Sequence, residues 1–501
     1  MLNEKQKEFI LKSHKTTSVR QIAKFLNIRR NDVSDFIKTL EKAPSPSIFS
    51  KHKKILIPFS ILILFIVHFA LRYNTFWLSH VPGDQNQYIG LAMKLQKKGF
   101  EEYNLRGIDL KPIDEKIDIF SLSLSKDQEG SLMKGLKNSG VGYYDMPFFY
   151  KGPAFPIALA ISHQIFRHDK DYLLVWPNLG KQVYKKKPKH FFSLQFYAVI
   201  VPLFFSTVLM LLTFYLGQLL FSHRVGFYAA FMLAVNPISI LTAHKIWADD
   251  MLSAFVTLSV LLFLLAQKKD RLWLSFLGGI SCGVAVLAKQ NGGIIFAGLI
   301  AYSILIKGTF KHLISYFVGL MLLTAPWFYK VYSIYGSPIY SPPHPDLLKT
   351  DPTGWFKRVG SRPRPYILFP VGIPYLCPPF ILAYATLKKF VLRLRLWNPL
   401  EKNNQEGNNI VLLWFWILPF ILFLIFYGGG DEHRRMLPAY PAIAIASAYI
   451  LNKSRIFIDK NFNIILAESL VFAVLIASAF WSVPIGLETV LANDAIITKP
   501  F

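Results

Sequence analysis

The stretch KHKKILIPFSILILFIVHFALRYNTFWLSHVPGDQNQYIGLAMKL, residues 51–95, sets a basic cluster, an apolar run and a lone aspartate one after another. Ile55–Leu71 is long enough to cross hydrocarbon at about 1.5 Å per residue. The chain then turns at Pro82-Gly83, places Asp84, and continues as a weakly amphipathic run to Gly99. A carboxylate in that place has a plain structural reading as an Asx-turn residue after Pro-Gly. It also has a chemical one, as a base held at the boundary between lipid and water.

The remainder of the sequence fits the first span. Of 501 residues, 53% are hydrophobic and 17% charged, and the mean hydropathy is +0.35, which point to a polytopic membrane protein and not to several soluble domains. Cys282 and Cys377 lie in apolar surroundings without CxxC spacing, so neither a disulfide framework nor a thiolate metal site is indicated. The formal charge of +26 is complemented by anionic lipid headgroups or by a phosphate-bearing substrate. The opening residues are polar and charged and read as no secretory signal, so the first span is expected to stay in the mature protein.

Ten further apolar segments follow: Leu194–Phe221, Val225–Ala243, Met251–Gln267, Leu272–Ala288, Gly292–Ile306, His312–Tyr329, Pro365–Leu387, Ile410–Tyr427, Met436–Leu451 and Ile464–Pro484. The expectation is an all-α protein with about eleven spans, up to about thirteen. The short loops KKDR (268–271), KGTFKH (307–312), KKFVLRLR (388–395) and NKSR (452–455) fall on the side of KHKK, which the positive-inside rule assigns to the cytoplasm. The long loop 72–193 and the loop 330–364 then lie outside, in a plasma (inner) membrane protein with a cytoplasmic N-terminus.

Residues 1–42 are set apart. SVRQIAKFLNIRRNDVSDFIKTLEK (18–42) carries two helical periods broken at Asn27, which tolerates a left-handed turn, with small Ala23 where the helices would cross. It resembles a helix-turn-helix, and Arg29, Arg30 and Lys38 could touch phosphate. DNA recognition needs a dimer or a second module, however, and this unit is tethered to a membrane span by the basic linker 43–54. A small cytoplasmic interaction unit is therefore the better reading, and nucleic acid is not an expected partner.

The polar clusters that suggest chemistry all fall on the outer side. Asp84 is the first. Lys151 precedes a proline-punctuated apolar stretch in YKGPAFPIALAISHQIF (150–166), too short for a clear span and expected to lie at the interface. Asp249 and Asp250 open a span in HKIWADDMLSAF (244–255), Lys289 closes one in AVLAKQNGG (285–293), and Arg434 and Arg435 stand in GGGDEHRRMLPAYP (428–441). Each has a bland counterpart. A lysine or arginine at a span end snorkels to water, and an aspartate at a helix start caps it and complements its dipole. Together they offer what transfer from a lipid phosphate requires: cations for the leaving phosphate and a proton acceptor for the attacking hydroxyl. No Walker GKS/T loop, HExxH or GxSxG occurs, so nucleotide hydrolysis, zinc proteolysis and serine hydrolysis lack their signatures.

In this order, an external aspartate with an amphipathic helix, KGPAFPIALA, ADDMLSAF, GISCGVAVLAK and HRRMLPAYPAIA resemble the GT-C membrane glycosyltransferases. The similarity is to the protein O-mannosyltransferase and lipid A aminoarabinose transferase superfamily and runs from Ile55 to Leu451. The resemblance implies the GT-C fold and an inverting transfer from a polyprenyl-phosphate sugar, a hexose or pentose, to a hydroxyl of a lipid, glycan or protein acceptor. It implies Asp84 as the general base or as the carboxylate that orients the acceptor, and Lys151, Lys289 and Arg434, with Arg435 in place of an aromatic, as contacts of the donor phosphate. Asp249 or Asp250 matches a supporting aspartate at a span start. Where the family has a proline pair after its lysine, this chain has Gly152-Pro153. No organic cofactor is implied. A divalent cation stays open, because some relatives hold one between paired carboxylates and the mannosyltransferase branch does not. Rival readings are a transporter or lipid flippase, which internal repeats and midplane helix breaks would favour, an oligosaccharide ligase or oligosaccharyltransferase on the same architecture, and a membrane-anchored transcription regulator.

Overall fold

A computed structural model of the chain describes residues 19–29, 53–73, 84–103, 151–166, 191–305, 310–335, 377–395, 405–426 and 433–491, with positions 6, 9, 10, 32–34 and 36. The linker before Lys53, most of the long loops 72–193 and 330–364 and the first half of Pro365–Leu387 lie outside them. All regular structure among the described residues is helical. The chain forms two compact units, Met1–Leu62 and Ile63–Phe501.

In the first unit, helix α1 (Val19–Leu26) ends where the sequence breaks its period. Asn27 adopts φ 52°, the Asn27 amide donates to the Lys24 carbonyl and the Ile28 amide to the Ala23 carbonyl at 3.0 Å. That paired closure is a Schellman cap, which an asparagine enters at little cost. Ile10, Ile22, Ala23 and Val33 form a small buried cluster around it.

The second unit is a helical bundle. Its elements are α2 (Lys53–Tyr73), which begins in the first unit, α3 (Asp84–Lys98), α4 (Ala154–Phe166), α5 (Phe191–Leu220), α6 (His223–Ala234), α7 (Pro237–His244), α8 (Asp249–Lys269) and α9 (Leu272–Ala288). There follow α10 (Ile294–Leu305), α11 (Phe310–Tyr335), α12 (Leu387–Arg395), α13 (Gln405–Phe426), α14 (Tyr440–Asn461) and α15 (Ile464–Leu491). Helices α5, α8, α11, α13 and α15 are each long and apolar enough to cross a membrane. The expected span Val225–Ala243 is instead broken: α6 and α7 meet at a 59° bend. The cause is local, because Pro237 cannot continue the ladder and the Asn236 side chain accepts from the Ile238 and Ser239 amides, starting a new helix. Helix α9 has 17 residues and α10 only 12, both shorter than hydrocarbon ordinarily demands. Pro378–Thr386, the described part of Pro365–Leu387, is a 3-10 segment.

Close packing replaces the hydrophobic drive that lipid removes. Where α9 crosses α11, a methyl added at Gly279 would lie 2.8 Å from the Leu320 amide nitrogen, so only glycine lets the two backbones touch.

Charge divides the bundle into two ends. Asp249 opens α8 beside Lys289, which closes α9, whereas Asp270, in the turn between those helices, pairs with Lys311 at 2.5 Å and with His312 at 3.1 Å. The 21 residues of α8 set these ends about 30 Å apart. At the Asp270 end Lys389 and Lys453 flank Glu406 at 3.2 and 3.0 Å, and Arg455 reaches Glu468 at 3.0 Å. The described charged residues of the loops around Asp270, Lys389 and Lys453 thus lie away from the candidate site residues Lys151, Asp249 and Lys289.

Candidate active site

The site end rests on one apolar floor. Tyr88 and Ile89 of α3, Phe155 of α4, Val201 of α5, Met251 of α8 and Ala288 of α9 pack in a single buried cluster. Every helix that carries a candidate residue, except the Arg434 segment, contributes to it.

Asp84 is the first residue of α3, one turn before Tyr88; its side chain lies outside what the structure describes. Lys151 is 4% exposed, and its Nζ sits 4.0 Å from the centre of the Tyr88 ring, a cation–π contact. The snorkelling reading does not hold for this lysine. Its backbone is fixed from both sides. The Tyr103 hydroxyl donates to the Lys151 carbonyl at 2.8 Å and to the Gly152 carbonyl at 3.2 Å, and Gly152 lies directly against the Leu287 carbonyl of α9. Leu287 is two residues before Lys289. The departure from a proline pair therefore has a physical reason: glycine lets the Lys151 segment touch α9 beside the second lysine.

Lys289 leaves α9 in extended backbone and meets Asp249, Nζ to Oδ1, at 2.8 Å. The Asp249 side chain is 2% exposed and that of Lys289 29%, so the pair faces outward through its cation. Asp249 is no simple cap, because its charge is engaged by a neighbouring helix. Asp250, the next residue, is fully buried, and among the described residues its oxygens make no hydrogen bond of good geometry. Thr242 beside it donates to the Ile238 carbonyl at 2.9 Å instead. Arg434 stacks on Trp247, guanidinium carbon to ring centre 3.9 Å, in the segment leading to Asp249. Arg435 follows, partly buried, in the same 3-10 turn, His433–Ala439.

Asp249 is taken by Lys289, and among the described residues no group of three His, Cys, Asp or Glu side chains gathers as a metal would need.

Sequence reasoning passed over three residues. Tyr88 and Trp247 stand inside the quoted motifs, at i+4 from Asp84 and two before Asp249, and a cation needs such a ring when it leaves water. Arg72 closes α2 and reads as a loop anchor, yet it is 1% exposed.

Residues 191–329 match the family dolichyl-phosphate-mannose-protein mannosyltransferase. No curated protein sequence matches the chain. The chain superposes on ArnT from Cupriavidus metallidurans bound to undecaprenyl phosphate with a TM-score of 0.51 and 13% identity, covering 87% of this chain and 76% of ArnT. It superposes on the Archaeoglobus fulgidus oligosaccharyltransferase tethered to an acceptor peptide with a TM-score of 0.55 and 14% identity, covering 87% and 56%. AglB of that organism, in complex with an inhibitory peptide and a dolichol-phosphate, gives 0.52 and 12%, covering 88% and 56%. The chain thus spans little more than half of the chain in each of the two archaeal structures. The matched segment includes the helices that hold Asp249 and Lys289, and the superpositions show that the chain has the fold of ArnT and of the archaeal oligosaccharyltransferase, the GT-C fold that the sequence resemblance implies.

Proposed function

We propose that the chain is an inverting glycosyltransferase that moves one sugar from a polyprenyl-phosphate donor to an acceptor hydroxyl at the extracytoplasmic face. The observation that carries this reading is the gathering of Lys151, Lys289 and Arg434 at one end of the bundle, beside the helix that opens at Asp84. A monophosphate leaving group on a lipid needs that arrangement. Its charge grows as the bond from phosphate oxygen to the anomeric carbon breaks, and fixed cations at a lipid boundary stabilise it more than water would. Asp84 accepts the proton of the attacking hydroxyl. One displacement, with attack opposite the leaving phosphate, inverts the anomeric centre. Asp249 holds Lys289 in place from behind.

Undecaprenyl phosphate in ArnT and dolichol-phosphate in AglB support a polyprenyl carrier here as well. The basic far end supports the cytoplasmic assignment of that end, in a plasma (inner) membrane, and hence an outward-facing site. Deleting the gene and analysing lipid-linked sugars by mass spectrometry tests the proposal. A single polyprenyl-phosphate sugar should accumulate. Accumulation of a preassembled lipid-linked glycan would assign the chain to oligosaccharide transfer, and no change in any lipid-linked sugar would refute the proposal.

A further inference from the structure

Asn291 stands two residues after Lys289 in the 3-10 turn Gln290–Gly293, and the chemistry proposed above makes no use of it. The turn is held firmly. The Lys289 amide donates to the Ala285 carbonyl at 2.9 Å, and the Gly292 amide donates to the Lys289 carbonyl at 2.8 Å. A methyl added at Gly292 would lie 2.6 Å from the Ala285 carbonyl carbon, so the turn rests backbone to backbone on the last residues of α9. Asn291 therefore keeps a fixed place, its Cα within about 7 Å of that of Lys289. Lys289 is fixed in turn by Asp249, Nζ to Oδ1 at 2.8 Å.

Asn291 is 8% exposed, and among the described residues neither Oδ1 nor Nδ2 of its amide has a hydrogen-bond partner, although both atoms are closed to water. A buried amide left open at both ends costs stability, and such groups are rare in folded proteins. The ordinary use of an asparagine at a helix start is a cap, as Asn236 shows at α7. Asn291 leads into α10, and its Oδ1 caps no amide. The missing partner has to offer an acceptor and a donor at once. A phosphate oxygen accepts without donating, an ammonium donates without accepting, and a hydroxyl does both. In a site that holds a sugar phosphate, the hydroxyls are those of the sugar.

We propose that Asn291 is a sugar-recognition residue, its amide binding a ring hydroxyl of the sugar being transferred, beside the lysine that holds the donor phosphate. The inference rests on the sugar-transfer reading, and the experiment has two arms so that the two can fail separately. In the first, thermal unfolding of unliganded protein compares the wild type with Asn291→Leu and Asn291→Met, which keep the bulk of the side chain and remove its open polar atoms. The more stable of the two should match or exceed the wild-type Tm. Both falling below it would mean that the amide is already matched inside the fold, by a held water molecule, and would overturn the proposal. In the second arm, purified wild type and that more stable variant are given a polyprenyl-phosphate sugar and a series of donors each lacking one ring hydroxyl. The variant should lose about 10-fold in kcat/KM on the full sugar, the worth of one or two hydrogen bonds. One deoxy donor should cost the wild type a similar factor and cost the variant almost nothing more. Parallel losses on every deoxy donor, or an unchanged kcat/KM on the full sugar, would overturn the assignment while leaving sugar transfer in place. A wild type that transfers no sugar from any polyprenyl-phosphate donor would refute the transfer reading itself, and the assignment with it.

Discussion

Gly152→Ala is the smallest change that should uncouple Lys151 from Lys289. A methyl at position 152 would lie 2.6 Å from the Leu287 carbonyl carbon and 3.0 Å from its Cα. Carbon atoms rest at about 3.5–4.0 Å, so one backbone must give by about 1 Å. The Leu287 carbonyl belongs to a helix and cannot yield as a flexible side chain would, so the movement falls on the Lys151–Pro153 segment. Such overpacking costs about 1–3 kcal/mol of stability. The larger effect should be on turnover, because a misplacement near 1 Å in a phosphate-holding group lowers rate about 10²-fold. The assay is steady-state transfer by purified protein in detergent from a polyprenyl-phosphate sugar, with thermal unfolding in parallel. Gly293→Ala is the control, since its added methyl would meet only the Val286 side chain at 3.4 Å and should leave both readouts near wild type. Wild-type kcat in Gly152→Ala would refute the claim that close packing on α9 aims Lys151.

Further outcomes follow from the same geometry. Lys289→Met should destabilise the protein by about 3–5 kcal/mol, because Asp249 is left buried and unpaired, and adding Asp249→Asn should recover most of that loss in thermal unfolding. Trp247→Leu removes the ring under Arg434 and should raise KM for the donor a few-fold, matching about 0.5–1 kcal/mol, with kcat little changed. Hydrogen bonds from Lys311 and His312 hold the Asp270 carboxyl below the usual carboxylate range. A group so lowered contributes stability that is full above the unfolded value, about 3.9, and is lost as pH falls through the native one. Asp270→Asn should therefore lower Tm at pH 7 and leave it unchanged at the most acid pH the protein survives.

The membrane architecture was legible because hydrocarbon enforces it: long apolar runs at Leu194–Phe221, Met251–Gln267 and Ile464–Pro484 have no other stable outcome. Asn27 was legible for a similar reason, since few residues other than glycine end a helix in the left-handed region. The break at Asn236-Pro237 was written in the sequence too, but the apolar run around it reads as one span unless the proline is given its full weight. The partners of the site residues were not legible. That Asp249 answers Lys289 while Asp250 is fully buried depends on how α8 is rotated against α9, and neighbouring residues on a helix point about 100° apart. Gly152 looked like a defect in a motif until the Leu287 carbonyl beside it gave the reason. Arg72 was hidden by the habit of treating a cation at a span end as an anchor in water.

The central claim is that this chain takes a sugar from a polyprenyl phosphate with Asp84 as the base, and one measurement reaches it directly. Purified wild-type protein and Asp84→Asn are given the same polyprenyl-phosphate sugar and acceptor, and release of polyprenyl phosphate is followed in a single turnover. The wild type should transfer the sugar with inversion, and Asp84→Asn should do so about 10²- to 10⁴-fold more slowly while binding the donor equally well. Equal rates in the two proteins would contradict the account.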